Sequence, residues 1–145
     1  MTLADLHCEP CKDGSGKLSE DEVRALLDTL QGWKLSDDGI TIYLRLTFPN
    51  FKTALAFVTR VGEVAEAENH HPDIRFGWGY AECHLTTHSA GGLTKNDFIL
   101  AARIDVLASG PVEYGNHVVD APDTRAYAAN QPFKPRERYA EAACG

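Results

Sequence analysis

Between residues 40 and 69 the spacing of the apolar residues changes once, and this change requires a strand followed directly by a helix that packs on its sheet. From residue 40 to 48 the period is two: Ile42, Leu44, Leu46 and Phe48 share one parity, against Thr41, Tyr43, Arg45 and Thr47. Such a segment buries one face and leaves the other more polar. Ser36-Asp37-Asp38-Gly39 just before it reads as a turn, because Asp-Gly supplies the positive φ that tight turns demand. Residues 33–35 and 40–48 are therefore predicted to form a hairpin. Over residues 51–69 the period becomes helical: Phe51, Leu55, Val58, Val61 or Gly62, and Ala65 form one stripe, and Phe57 and Val64 add a second apolar edge. Two apolar sides call for two partners, the sheet and a neighbouring subunit. Pro72 disfavours helical backbone at His71, so this helix should end near His70.

Two more helices are legible. Ser19 and Glu22 have the spacing of a capping box, and Val23, Leu26, Leu27 and Leu30 follow as a stripe until Gly32, giving a first helix of about three turns. Thr94 and Asp97 repeat a capping-box-like start, after which Phe98, Ile99, Ala101, Ala102, Ile104 and Val106 carry a helix to Gly110-Pro111. Residues 74–88 hold two short extended stretches, with Gly77 and Gly79 expected to loosen the connection. On the second, Tyr80, Glu82, His84, Thr86 and His88 share a parity opposite Ala81, Cys83, Leu85 and Thr87, placing His88 at the end of a polar strand face.

The ends of the chain differ from its middle. Residues 1–18, with Cys8-Glu9-Pro10-Cys11 and Gly14-Ser15-Gly16, read as a flexible arm. Residues 111–145 hold four of the seven prolines and no sustained period, which predicts an extended tail that wraps the domain or moves freely. The 145 residues suit one domain between these ends, over residues 19–110. Fourteen basic against twenty-one acidic residues give a net charge of −7, which argues against direct binding of nucleic acid or anionic membranes. No window approaches the roughly 20 apolar residues of a membrane span and no leader pattern follows Met1, so the expectation is a soluble, cytoplasmic protein. Four cysteines are few for a disulfide scaffold and are read as reduced thiols.

The chemistry concentrates in His70, His71, His88 and Asp97. Imidazole titrates nearest neutrality, so a cluster can hold a proton donor and a proton acceptor at one pH. The predicted elements bring His70 and His71 at a helix end towards His88 at a strand end and Asp97 at a helix start. A cleft bounded by helix and sheet follows, equipped to remove a hydroxyl and a neighbouring proton from a small substrate. Each residue also has a plainer reading. His71-Pro72 can be a helix exit, Asp97 a capping carboxylate, and Glu66 either an orienting partner or a solvated charge. Adjacent His70 and His71 cannot easily face one metal ion, and Cys8-x-x-Cys11 lacks a second ligand pair, so no metal is expected.

Glu66-x-x-x-His70-His71-Pro72, Thr87-His88, Gly92-Leu93-Thr94-x-x-Asp97, Leu100-Ala101 and Ile104-Asp105 keep order and spacing together. With Gly32-Trp33 ahead of the first strand, they strongly resemble the pterin-4a-carbinolamine dehydratases, over roughly residues 18–108. The resemblance implies an α+β sandwich, a four-stranded antiparallel sheet with three helices on one face, assembled into homodimers or homotetramers. It implies dehydration of 4a-hydroxytetrahydropterin to quinonoid dihydropterin, recycling the pterin of aromatic amino-acid hydroxylases with no cofactor. By the same resemblance His70 and His88, with Asp97, are catalytic, and His71, Glu66, Pro72 and Thr87 hold the substrate. Some dehydratases carry tryptophan two residues after His-His-Pro; here Ile74 stands there, and Trp78 is the candidate substitute. Relatives of this family also act as binding proteins, as a dimerisation cofactor of a homeodomain factor and in rubisco assembly. An inactive assembly factor or scaffold is therefore the alternative.

Overall fold

The computed structural model describes residues 2–9 and 16–109 in full and the backbone of two further short strands, 112–114 and 117–119. In chain order the elements are α1 (Glu20–Leu27), β1 (Lys34–Leu35), β2 (Ile42–Thr47), α2 (Phe51–Glu68), β3 (Asp73–Gly77), β4 (Tyr80–Leu85), α3 (Lys95–Ser109), β5 (Val112–Tyr114) and β6 (His117–Val119). Strands β1 to β4 form one antiparallel sheet in the order β1-β2-β4-β3, and β5 and β6 pair separately.

The period-two pattern does what it predicts. Ile42, Leu44 and Leu46 lie opposite Leu85, Cys83 and Ala81 on the neighbouring strand, and all six are buried. Helix residues Val23, Ala54, Phe57, Val61, Ala65, Phe98, Leu100, Ala101 and Ile104 join them in a single core, so the three helices cover one sheet face. Phe57 and Phe98 are fully buried; truncating either to alanine should cost about 3–5 kcal/mol. Asp105 on α3 accepts the Gln31 backbone N–H at 3.0 Å and the Trp33 indole N–H at 2.7 Å, tying the last helix to the approach of β1.

Local signals fix the ends of these elements. Ser19 and Glu22 cap α1 reciprocally. Gly39 closes the β1–β2 turn at φ +74°. Helix α2 stops at Asn69, whose left-handed φ of 51° turns the chain and allows the His70 N–H to reach the Ala65 carbonyl. The β3–β4 connection is tighter than the two glycines suggested: Gly77 pairs with Tyr80, leaving a two-residue turn of Trp78 and Gly79. Gly79 takes φ +83°, and its carbonyl accepts the Phe48 N–H.

The outer sheet face is polar but not open. Glu82 and His84 on β4 are buried there among Tyr43 and Arg45 of β2 and Asp73 and Arg75 of β3. The second partner of α2 lies partly within the same chain, because β5 packs against it. The expected tail thus holds a short hairpin; residues 120–145 lie outside those described.

Candidate active site

The turn after α2 delivers His70, and the first turn of α3 delivers Asp97. Neither side chain has any exposed surface, and His70 Nε2 donates to Asp97 Oδ1 at 2.6 Å. The other carboxylate oxygen is also engaged: Asp97 Oδ2 accepts the Thr94 N–H at 2.9 Å and the Thr87 hydroxyl at 2.8 Å. Thr94 Oγ1 lies 2.8 Å from Thr87 Oγ1, and since Thr87 spends its proton on Asp97, Thr94 donates to it. The capping and catalytic readings of Asp97 are therefore not alternatives. One oxygen stabilises the start of α3 and the other faces the imidazole.

This arrangement sets the state of the His70 ring. A carboxylate on Nε2 selects the tautomer with its proton there, leaving the lone pair on Nδ1. Nδ1 is buried and has no hydrogen-bond partner among the described residues. Leaving a buried acceptor unmatched costs about 1–3 kcal/mol, and such groups concentrate where chemistry is done. The pair can thus act as an oriented base.

The remaining predicted residues sit around this pair at different depths. His71 turns the other way: its Nε2 meets Glu66 Oε1 at 2.7 Å near the surface, with Glu66 80 % exposed. Thr87 is buried inside the network and Pro72 is half-buried. His88 is exposed, and β4 does not reach it. The strand ends at Leu85, and Thr87 exchanges backbone hydrogen bonds with Gly92 around the turn His88–Ala90. The strand parity therefore cannot be extended to His88, although the residue directly follows Thr87 at the edge of the network. Ile74 packs against the core, and Trp78 cannot stand in for a tryptophan there. It is 73 % exposed at the far end of β3, about 16 Å along the strand from Asp73.

Sequence reasoning missed what holds this region together from the amino-terminal side. Residues 2–9 were read as part of a mobile arm, yet they are tied down by Glu68, Asn96 and Arg103, partners 60 to 97 positions away. No local pattern carries such a signal. Cys8 is half-buried in these contacts. Burial first, then Glu68 and Asp97, push its thiol up to about 12, so it is no reactive thiolate. Cys11 lies outside the described residues, and among those described no group of three His, Cys, Asp or Glu side chains could hold a metal ion. No helix among them is long and apolar enough to cross a membrane.

The sequence profile of the family described as Pterin 4 alpha carbinolamine dehydratase matches residues 16–107, more than half of the chain. The chain belongs to this family. Among similar proteins, one of Halorhodospira halophila, provisionally named a pterin-4-alpha-carbinolamine dehydratase, is 48 % identical over 109 residues, covering 75 % of this chain and 100 % of the relative. A similarly named protein of Rubrobacter xylanophilus is 49 % identical over 107 residues, covering 72 % and 97 %. The crystal structure of a transcriptional coactivator/pterin dehydratase from Brucella melitensis superposes with a TM-score of 0.61 at 30 % identity, covering 63 % of this chain and 98 % of that one. Every residue of the dehydratase-family site named above lies inside the matched segment, whereas β5 and β6 lie beyond it.

Proposed function

We propose that this protein dehydrates 4a-hydroxytetrahydropterin to quinonoid dihydropterin and water by histidine acid–base catalysis, in the recycling of tetrahydropterin. The observation that carries this reading is the buried His70–Asp97 pair, which commits one ring nitrogen and leaves the other without a partner among the described residues. In the reaction N5 gives up its proton, the N5 electron pair forms the new C4a–N5 double bond, and the C4a–O bond breaks. The departing oxygen takes a proton and leaves as water. No electron is transferred to a third party, so the chemistry calls for proton management alone.

In this reading His70 Nδ1 takes the N5 proton and solvent-facing His88 delivers one to the hydroxyl. His71, held by Glu66, places the ring, with Pro72 and Thr87 shaping the floor. His70 has no exposed surface, so productive contact requires the side chains over it to move aside. The substrate is the only small molecule required. The working unit is a homodimer or homotetramer that serves an aromatic amino-acid hydroxylase.

The test is the decay of the carbinolamine absorbance with purified protein. Wild type should accelerate it, and His70→Ala and His88→Ala should each lose about a hundredfold or more of that acceleration. A wild-type rate equal to the spontaneous one, or to that of the double variant, would overturn the proposal and leave a docking role.

A further inference from the structure

We propose that Glu68 and Asn96, joined through the backbone of Cys8 and Glu9, form a positioning strut that sets the distance between His70 and Asp97. Glu68 closes α2 two residues before His70, and Asn96 immediately precedes Asp97. Glu68 Oε2 accepts the Cys8 N–H at 2.8 Å. Asn96 grips the next residue twice: its Oδ1 accepts the Glu9 N–H at 3.0 Å and its Nδ2 donates to the Glu9 carbonyl at 2.7 Å. The Cys8 thiol donates to the Asn96 carbonyl at 3.6 Å. Two residues of the arm thus bridge the end of one helix and the start of another.

The strut is anchored as well as bridged. Arg103 on α3 donates to the Leu6 carbonyl at 2.6 and 3.2 Å and lies 3.3 Å from Glu68 Oε1; His7 Nδ1 meets the same oxygen at 2.8 Å. Burial pushes the Glu68 carboxyl up, but the Cys8 N–H, His7 and Arg103 outweigh it, and the net shift is downward. The carboxylate therefore stays charged, and its hydrogen bond to the arm is of the stronger, charge-assisted kind. Helix ends fray unless their terminal groups are held, and both halves of the His70–Asp97 pair sit at such ends. A short hydrogen bond between them needs the two ends fixed to a fraction of an ångström.

The kinetic arm of the test rests on the dehydratase reading; the spectroscopic arm does not. Glu68→Ala and Asn96→Ala in the full chain should each lower kcat about tenfold with KM within about twofold, because a slightly misplaced base reacts poorly while the surface that binds substrate is untouched. Glu68→Gln, which keeps an acceptor for the Cys8 N–H, should recover most of that loss. Nuclear magnetic resonance of the ring labelled with nitrogen-15 should show the His70 Nε2 proton, far downfield in wild type, moved upfield or broadened in both alanine variants. Cys8→Pro leaves both helices unaltered and removes the arm's own donors, the N–H to Glu68 and the thiol to the Asn96 carbonyl, and it should reproduce the Glu68→Ala signature even if the helix variants fold poorly. An unchanged His70 proton signal in folded Glu68→Ala, or in Cys8→Pro, would overturn the strut whether or not the protein proves to be a dehydratase. An inactive wild type with the expected proton shifts would instead overturn the dehydratase reading alone.

Discussion

Among the described residues two histidines are buried beside carboxylates, and they are built for opposite purposes. At the meeting of α2 and α3, His70 Nε2 lies 2.6 Å from Asp97, whose remaining capacity is taken by neutral donors. On the outer face of the sheet, His84 lies 3.6 Å from Glu82, stacks on Tyr43 with ring centres 5.3 Å apart, and shares its surroundings with Arg45. Arg45 claims Glu82 at 3.1 Å. Burial and, more weakly, Arg45 hold His84 down to about 4 against the pull of Asp73, so it stays neutral through the physiological range. In the proposed chemistry burial alone does not make an imidazole a proton carrier; the buried ring also needs a carboxylate that no cation has already claimed.

Asp97→Asn is the sharpest attempt to break this contrast, and the largest effect expected. The asparagine oxygen can still cap the Thr94 N–H, which leaves its amide N–H facing His70 Nε2. The ring must then present its lone pair at Nε2 and carry the proton on Nδ1, so the base is lost while the shape is kept. Dehydration should fall about a thousandfold, with the change of tautomer visible in ring nitrogen shifts. His84→Phe, which keeps the stack on Tyr43, should leave the rate within about twofold, since nothing in the proposed chemistry passes through that face. Equal losses in the two variants would refute the distinction.

How far the sequence reveals this differs from part to part for physical reasons. Helix α2 and strand β2 were legible because their periods are long and unbroken, and the stop at Asn69 because Pro72 restricts the residue before it. His70 and Asp97 were legible as candidates, but the double use of the Asp97 carboxylate was not, because spacing cannot say which oxygen faces which partner. His88 was assigned to a strand face by carrying a parity past Leu85, where the Thr87–Gly92 pairing ends it. The polar character of Glu82 and His84 was correctly read, yet their burial depends on Arg45, Tyr43 and Arg75 from neighbouring strands, which no single strand reports.

The outer face has its own, smaller test. An imidazole with a depressed folded value leaves stability intact above the unfolded value of 6.5 and loses it as the pH falls toward about 4, because only the unfolded chain takes up the proton in between. For His84 the loss across that window is about 3 kcal/mol. Glu82 works the other way. Burial pushes its carboxyl up against Arg45 and Arg75, so its contribution is present below its unfolded value of 4.5 and declines as the pH rises through the elevated folded value. Denaturant unfolding of wild type and His84→Phe at pH 7 and 4.5 isolates the histidine: the variant should lose clearly less stability on acidification. Parallel pH dependences would mean that His84 takes up its proton in the native state as readily as in the unfolded chain, and that its surroundings do not hold it neutral.

Glu66→Gln probes a histidine–carboxylate contact near the surface. His71 and Glu66 approach nearly as closely as His70 and Asp97 do, at 2.7 against 2.6 Å, but Glu66 is 80 % exposed and solvent screens the pair. An exposed pair of this kind contributes no more than about 1 kcal/mol, and an amide oxygen can still accept from the ring. The expected result is a KM raised by less than about threefold, an unchanged kcat and an unfolding midpoint close to wild type, because in the proposed chemistry His71 only places the substrate. If kcat instead fell as it does in Asp97→Asn, distance alone would set the power of a carboxylate over its imidazole. The burial that separates His70 from His71 would then count for nothing.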